Sequence, residues 1–201
     1  MKMNILVTGG LGFIGSHTVV ELIKNSHEVV IADNLINSKI EVLDKLSTIT
    51  GIKPSFYQSD VTDEAKVEEI FSNHKIDGVI HFAGLKAVGE SVTNPLEYYY
   101  NNLVSTMVLS KMCVKYGVNK FVFSSSATVY GDQPSPLKED MELKKTTNPY
   151  GESKLAMEKI MHWSDVAYGT KFVALRYFNV AGAKADGTIG EDHHPETHLI
   201  P

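Results

Sequence analysis

The sequence has little of two features that would assign it to particular classes of protein. Its 201 residues include a single cysteine, Cys113, and no apolar run long enough to cross a membrane. One cysteine excludes an intramolecular disulfide and is typical of proteins from a reducing compartment. Because Cys113 lies in a mixed apolar and polar helical stretch, we interpret it as a packed thiol and not as a nucleophile. The first predicted strand follows residue 1 so closely that no signal peptide fits, which predicts a cytoplasmic protein.

An excess of positive charge is also lacking. With 19 Lys and Arg against 24 Asp and Glu, the formal net charge is −5, which gives no general reason to expect nucleic-acid binding. No internal repeat and no low-complexity segment interrupts the chain. Hydrophobic residues make up 43% of the sequence, so a chain of this length can bury a substantial core.

What the sequence does contain is an alternation of strand and helix candidates. This pattern predicts an α/β protein with a doubly wound parallel sheet, the Rossmann fold, with strand order 3-2-1-4-5-6. Helices are predicted after the first glycine-rich turn, over residues 38–50, after residue 63, from Pro95 to Gly117 and over residues 150–168. The six strands are predicted at residues 5–7, 28–33, 56–61, 78–84 (the strand together with its exit), 120–124 and 171–176.

The glycines of residues 4–24 organise the first strand–turn–helix unit. Gly9, Gly12 and Gly15 fall at intervals of three between an apolar run and an amphipathic stretch. Such a turn brings backbone N–H groups and the positive end of a helix dipole up to a phosphate. We expect Gly9 to permit the sharp turn, Gly12 to admit a pyrophosphate, and Gly15 to let helix and strand pack closely.

An acid ends the second predicted strand. Asp33 follows Gly15 by 18 residues, about where a carboxylate meets the ribose 2′-hydroxyl of NAD. The same charge would repel a 2′-phosphate, and no arginine follows closely to accept one. The sequence therefore favours NAD over NADP as the cofactor.

Tyr150 and Lys154 form the constellation that indicates chemistry. Residues at i and i+4 lie on one helix face, about 5–6 Å apart at Cβ. A free tyrosine titrates near ~10, so a base at neutral pH needs its phenolate stabilised by the neighbouring ammonium and by an oxidised nicotinamide ring. Lys154 is also placed to reach the nicotinamide ribose. Ser126 belongs to the serine cluster 124–126 at the C-terminal end of the fifth strand, where ligands bind in doubly wound sheets. We expect it to share a hydrogen bond with a substrate hydroxyl and Tyr150.

Two further groups of polar residues are weaker candidates. His81 lies within the apolar fourth strand, so we interpret it as a core imidazole with a satisfied hydrogen bond and not as a catalytic group. The stretch 179–201 carries residue types that can bind metals, but no ligand spacing on a defined element supports such a site. We predict no metal site, and a loop that contacts substrate instead. These residue types are Asp192, His193, His194, Glu196 and His198.

Together the motifs resemble the extended branch of the short-chain dehydrogenase/reductase superfamily, and within it the UDP-glucose 4-epimerases. The resemblance rests on the Gly-x-x-Gly-x-x-Gly turn, on Ser126 with Tyr150 and Lys154, and on five longer segments. It implies reversible inversion at C4 of UDP-glucose and UDP-galactose through a 4-keto sugar, with Tyr150 as the base and NAD as the cofactor, in galactose metabolism. The five segments are residues 33–38, 81–91, 124–131, 148–154 and 175–179.

The resemblance also implies which residues contact the cofactor and the nucleotide sugar. For the sugar nucleotide they are Ser126, Tyr150, Asn179, His198 and Leu199. For NAD they are Gly9, Gly12, Phe13, Ile14 and Gly15 at the pyrophosphate turn, Asp33, Asn34, Leu35, Asn37 and Ser38 around the adenosine ribose, Asp60 and Val61 at adenine, and Phe82, Ala83, Gly84, Lys86, Asn101, Ser124, Lys154 and Phe178 along the remaining site.

Family members continue beyond this length with a smaller domain that closes over the UDP moiety. We therefore expect an NAD-binding domain over residues 1–178 and only the start of the substrate-binding region over residues 179–201. A fragment that binds NAD without turnover is the first alternative function. A nucleotide-sugar 4,6-dehydratase is the second, but that family carries an Asp–Glu pair where this sequence has Ala127 and Thr128.

The resemblance further implies a homodimer through helices 95–116 and 150–168. The apolar residues of these helices agree with that arrangement. Packing of the same residues on the sheet explains most of the pattern equally well, so the sequence leaves both interpretations open.

Overall fold

Short runs of mostly apolar residues build the sheet. The computed structural model describes residues 2–192, and its six strands are all parallel, in the order β3-β2-β1-β4-β5-β6. This order confirms the predicted doubly wound topology. The chain runs outward from β1 in both directions, so the order reverses between β1 and β4, where ligands of such sheets bind. The strands are β1 (Asn4–Thr8), β2 (Glu28–Asp33), β3 (Ser55–Gln58), β4 (Gly78–His81), β5 (Lys120–Ser126) and β6 (Lys171–Tyr177).

Neighbouring residues of the central strands point into different cores. Leu6 belongs to a cluster with residues of α3, α5 and α6, whereas Ile5 and Val7 belong to a second cluster with residues of α1 and α2. This alternation is why β1 reads as a continuous apolar run, since helices cover both faces of the sheet. The helices are α1 (Phe13–Lys24), α2 (Glu41–Thr50), α3 (Glu64–Asn73), α4 (Val88–Thr93), α5 (Pro95–Tyr116) and α6 (Pro149–Tyr168), and a 3₁₀ turn spans Ala127–Tyr130.

Three helices carry clear signals at their ends: the Pro95 and Gly117 ends of α5 were predicted, and the Asn148 cap of α6 was not. Pro95 occupies the first position of α5, and Gly117 follows its last residue with a left-handed φ of 71°. Asn148 caps α6, because its Oδ1 accepts a hydrogen bond from the Gly151 N–H at 2.8 Å. Asp63 caps α3 in the same way, through the N–H groups of Ala65 and Lys66. No helix within residues 2–192 is both long and apolar enough to cross a membrane.

Three predicted boundaries near the crevice are wrong, each for a local reason. β3 ends at Gln58 and not at residue 61, since Asp60 accepts hydrogen bonds from both Thr62 N and Oγ1. α2 begins at Glu41 and not at residue 38, since Ser38 donates to Asp33 in the preceding loop. β5 extends two residues further than predicted, to Ser126, because it pairs with β6 along its whole length.

Candidate active site

A crevice of about 650 Å³ lies beyond the carboxyl ends of the strands. It brings together residues that are far apart in the sequence, from the glycine turn, the ends of β2, β4 and β5, and the first turns of α6. The predicted site residues that line it are Gly9, Gly12, Phe13, Ile14, Gly15, Asp33, Asn34, Asn37, Ser38, Asp60, Val61, Phe82, Ala83, Gly84, Lys86, Asn101, Ser124, Ser126, Tyr150, Lys154, Phe178 and Asn179.

Three predicted contacts are not among the lining residues. His198 and Leu199 lie outside the described residues. Leu35 packs its side chain against the core cluster on the α1 and α2 side of the sheet. Its backbone adopts a left-handed φ of 63°, and its N–H donates to Asp33 Oδ1 at 3.0 Å. Leu35 therefore shapes the loop after β2 through its backbone.

The three glycines of the turn have different neighbours. Gly9 has a φ of +67°, and a Cβ added there would lie 2.7 Å from the backbone nitrogen of Ala83. A Cβ at Gly15 would overlap the carbonyl oxygen of Gly9. A Cβ at Gly12 would meet nothing closer than 3.4 Å. Gly9 and Gly15 are thus required by the packing of the turn itself, while Gly12 leaves open space at the start of α1.

That open space suits a phosphate. Gly12 is the residue before α1, and no side chain caps the helix there. The first N–H groups of the helix and the positive end of its dipole are available to an anion in the crevice. The predicted role of Gly12 therefore agrees with the local geometry, and the close packing predicted for Gly15 is found against the turn.

Asp33 organises the neighbouring part of the crevice. Its carboxylate is 6% exposed and accepts hydrogen bonds from Leu11 N at 3.0 Å and from Ser38 Oγ at 2.7 Å, besides the Leu35 N–H. A carboxylate offers about four lone-pair sites, so three donors leave capacity for a ribose hydroxyl. A phosphate at the same place would meet a buried negative charge. The geometry suits a dinucleotide whose adenosine ribose has a free 2′-hydroxyl.

Asp60 and Asn34 close the far end of this region. Asn34 Nδ2 donates to Asp60 Oδ2 at 3.0 Å. Burial alone would raise the pKa of Asp60, but the hydrogen bonds from Thr62 and Asn34 outweigh it, so the pKa lies below its ordinary value. Asp60 is therefore a fixed anion at physiological pH.

At the other end, Tyr150, Lys154 and Ser126 converge as predicted. Lys154 is 3% exposed, and burial lowers its pKa to about 8. Its Nζ lies 5.8 Å from the centroid of the Tyr150 ring. Burial raises the pKa of Tyr150 above its ordinary value, and an interaction with Ser126 lowers it in part. Desolvation dominates in the protein without a cofactor, and the stabilisation of the phenolate by Lys154 together with an oxidised nicotinamide stays a prediction.

Asn102, which the sequence reasoning missed, fixes the loop after β4. Its Oδ1 accepts from Leu85 N at 2.9 Å, and its Nδ2 donates to Leu85 O at 3.1 Å and to Ser153 Oγ at 2.9 Å. Ser153 Oγ in turn donates to the carbonyl oxygen of Tyr150 at 2.7 Å. This side chain therefore joins α5, α6 and the crevice wall. A polar residue on the buried side of α5, next to Asn101, was the available signal.

Thr128 was noted in the sequence only as a position where dehydratases carry an acid. The structure shows that its Oγ1 donates to Ser126 Oγ at 2.9 Å and that it lines the crevice. Nothing in its spacing from Ser126 distinguishes it from an ordinary turn residue. The 3₁₀ turn after β5, which the sequence did not predict, is what brings it back to the strand end.

His81 is a core residue, as interpreted from the sequence. It is fully buried, and its Nδ1 lies 2.7 Å from Thr8 Oγ1. Burial, with a smaller effect of Lys154, lowers its pKa to about 3, so the imidazole is neutral at physiological pH. Within residues 2–192, no three His, Cys, Asp or Glu side chains are grouped as metal ligands. His193, His194, Glu196 and His198 lie outside that range.

Known proteins were compared with the sequence and the structure. The model of the NAD dependent epimerase/dehydratase family matches residues 5–201. The UDP-glucose 4-epimerase of Lacticaseibacillus casei is 52% identical over 200 residues, which cover 99% of this chain and 58% of that protein. The UDP-glucose 4-epimerase of Bacillus subtilis is 53% identical over 192 residues, covering 94% of this chain and 56% of the relative.

Solved structures agree with these matches. The UDP-glucose 4-epimerase of Bifidobacterium longum, in complex with NAD+ and UDP, superposes with a TM-score of 0.92 at 50% identity, over 94% of this chain and 57% of that one. The UDP-glucose 4-epimerase of Brucella ovis, in complex with NAD, superposes with a TM-score of 0.90 at 40% identity, over 98% of this chain and 58% of that one. This chain thus spans somewhat less than three fifths of the length of the relatives it matches.

Proposed function

The chain belongs to the NAD dependent epimerase/dehydratase family, and from this premise we propose that it contributes the NAD site and the catalytic residues of a UDP-glucose 4-epimerase. Its substrates would be UDP-glucose and UDP-galactose, in galactose metabolism. The observation that carries the proposal is one crevice that is lined by Gly12 at the start of α1, by the buried carboxylate of Asp33, and by Tyr150 and Ser126.

The residues present fit NAD. Gly12 and the first turn of α1 would hold the pyrophosphate, and Asp33 would bind the adenosine ribose. Lys154 would reach the nicotinamide ribose, since it is the buried ammonium beside Tyr150. The residues proposed above along the remaining wall, from Phe82 to Phe178, would enclose the rest of the cofactor. When bound, NAD supplies the hydride acceptor and returns the same hydride to the sugar.

Tyr150 would move the proton at the sugar 4-hydroxyl. Its phenolate would take that proton as C4 is oxidised, and its phenol would return it after the 4-keto sugar has turned and is reduced on the opposite face. Ser126 would hold the same hydroxyl. Since burial raises the pKa of Tyr150, the phenolate needs added positive charge, which Lys154 and an oxidised nicotinamide would supply.

The domain assignment and the sugar contacts belong to the same proposal. Residues 1–178 would form the NAD-binding domain, and residues 179–201 would begin the region that contacts the nucleotide sugar. Asn179 lines the crevice directly after the exposed Phe178. We propose His198 and Leu199 as further sugar contacts from the family resemblance alone.

A homodimer through α5 and α6 completes the proposal. Both helices expose large apolar side chains in addition to those packed on the sheet. In α5 these include Leu96 at 82%, Tyr100 at 61% and Met107 at 48%, and in α6 Trp163 at 65% and Val166 at 64%. Packing on the sheet therefore does not account for the whole apolar pattern, and a second copy would cover the remainder.

The first test is to denature the purified chain and assay the supernatant for NAD. Nucleotide near one equivalent per chain, or saturable binding of added NAD, is expected. The Tyr150→Phe variant should retain the nucleotide. If the wild-type chain interconverts UDP-galactose and UDP-glucose, the rate should fall by a factor of about 10³ or more in this variant. Tyr168→Phe, at the exposed end of the same helix, is the matched control and should change neither the amount of bound NAD nor the rate of epimerisation.

Two results would contradict the proposal. One is a well-folded chain that neither releases nor binds NAD. The other is wild-type epimerisation by Tyr150→Phe. Accumulation of a 4-keto-6-deoxy sugar would favour a dehydratase instead, although Ala127 and Thr128 offer no carboxyl group for the required proton transfer.

A further inference from the structure

Thr128 contacts two neighbours of Tyr150. Its Oγ1 and its backbone N–H both donate to Ser126 Oγ, at 2.9 Å and 3.2 Å. On its other side it packs against Gly151, where an added Cβ would lie 3.2 Å from Thr128 Oγ1 and 3.3 Å from its Cβ. Thr128 is therefore held between Ser126 and the residue that follows Tyr150. The proposed function gives it no role.

The two hydrogen bonds determine what Ser126 can do. A serine hydroxyl has one proton and two acceptor lone pairs. Since Thr128 supplies two donors, both acceptor positions of Ser126 Oγ are occupied, and a third partner can only receive the Ser126 proton. Tyr150 is the partner that the geometry offers, because it lines the same crevice as Ser126 and directly precedes Gly151, against which Thr128 packs. The lowering of the Tyr150 pKa by Ser126 agrees with a donor at the phenol oxygen.

We propose that Thr128 is a positioning residue: its hydroxyl fixes the orientation of the Ser126 hydroxyl so that the Ser126 proton points to the phenol oxygen of Tyr150. The consequence for catalysis rests on the proposed epimerase function, but the hydrogen-bond direction does not. A Ser126 hydroxyl that turned away would leave the phenolate without this donor, and Tyr150 would become a weaker acid in the crevice.

The charges around Tyr150 are independent of Thr128. Lys154 faces it from its own helix, and Lys86 lines the same crevice. From α5 comes Tyr98, whose pKa is raised by burial and by Glu90, with a smaller effect of Tyr150; Tyr98 donates to Glu90 Oε2 of α4 at 2.8 Å. The end of β5 and the turn after it contribute hydroxyl groups. Removing the Thr128 hydroxyl therefore leaves the surrounding charges unchanged.

The test measures the titration of Tyr150 directly. The chain is labelled with 3-fluorotyrosine, whose phenol titrates at lower pH, and the Tyr150 signal in ¹⁹F NMR is assigned with Tyr150→Phe. Thr128→Val keeps the shape of the side chain and removes its hydroxyl. It should raise the pKa of Tyr150 by about half a unit, which corresponds to a fraction of the free energy of one hydrogen bond. Thr128→Ser keeps the hydroxyl and should restore the wild-type value.

A double-mutant cycle separates this role from simple packing. In a Ser126→Ala background, Thr128→Val should no longer shift the titration, because the oxygen that links the two residues is gone. An equal shift in both backgrounds, or no shift with Ser126 present, would overturn the proposal. These titrations need no substrate, so their failure is distinct from a failure of the wild-type protein to epimerise UDP-galactose. Matching unfolding midpoints for Thr128→Val and Thr128→Ser establish that both fold.

Discussion

At the scale of single residues, Lys154 carries an electrostatic cost of burial. It is fully buried on the crevice side of α6, and burial lowers its pKa to about 8 from an ordinary value of 10.5. The buried Lys154 ammonium has lost hydration that it would keep at the protein surface. A charge that is costly to bury and faces a cleft is typical of a functional site.

This cost predicts how stability changes with pH. Below pH 8 Lys154 is protonated in both the folded and the unfolded chain, and the whole cost is present. Between pH 8 and 10.5 the folded state loses the proton first, so the free energy of unfolding rises with pH. From pH 7 to 9.5, the wild type should gain roughly 2 kcal/mol relative to Lys154→Met, as measured by urea denaturation. Lys159→Met, exposed on the same helix, should follow the wild type, and a parallel curve for Lys154→Met would contradict the prediction.

Much of the site at this scale could be predicted from the sequence. The i, i+4 spacing of Tyr150 and Lys154 can be read directly from the sequence. The same is true of the position of Asp33 at the end of the strand that follows the glycine turn. Thr128 was not identified because a residue two positions after Ser126 looks like an ordinary turn residue, and the contacts of Asn102 depend on how α5 packs against α6 and the loop after β4. The burial of Tyr150, which raises its pKa, could not be predicted either, since it depends on the whole crevice.

At the scale of elements, the glycine turn is the clearest unit. α1 starts directly after Gly12, and Gly15 lies within its first turn against the carbonyl oxygen of Gly9. Two glycines of the same sequence pattern therefore serve different purposes. One glycine is open to the crevice, and another is needed for the backbone to close on itself.

A matched pair of substitutions tests this separation. Gly15→Ala places a Cβ on backbone that cannot move aside, so it should lower the free energy of unfolding by about 3 kcal/mol or more. Gly12→Ala should cost less than about 1 kcal/mol, because its φ of −71° is ordinary and its nearest contact is 3.4 Å. NAD binding to Gly12→Ala should nevertheless weaken at least tenfold, a loss of about 1.4 kcal/mol. Urea denaturation and NAD titration measure both, and equal destabilisation by the two variants would contradict the assignment.

Elements were predicted better than their ends. Helix and strand periods are strong over the core-facing residues, so all six strands and their order followed from the sequence. The ends near the crevice did not, because Asp60 and Ser38 use their side chains to bind nearby backbone and loop groups. α4 and the 3₁₀ turn are too short to show a period.

At the scale of the whole molecule, the fold gathers one site from segments spread between Gly9 and Asn179. The parallel sheet achieves this because every strand ends at the same edge, and α6 then lays Tyr150 across the end of β5. The two cores on either side of the sheet keep these strand ends in register. α5 and α6 also leave apolar side chains exposed, and the proposed homodimer would cover them.

Light scattering coupled to size exclusion tests that statement. The chain should elute with twice the monomer mass, and Met107→Lys should weaken the dimer at least tenfold, because it places an ammonium in a surface that pairing would bury. Ile52→Lys is the matched control: Ile52 is exposed to a similar extent, 56% against 48% for Met107, but precedes β3 at the opposite end of the strands. That variant should remain dimeric. A wild-type chain that is monomeric at every concentration, or equal dissociation of both variants, would show that α5 and α6 do not form the interface.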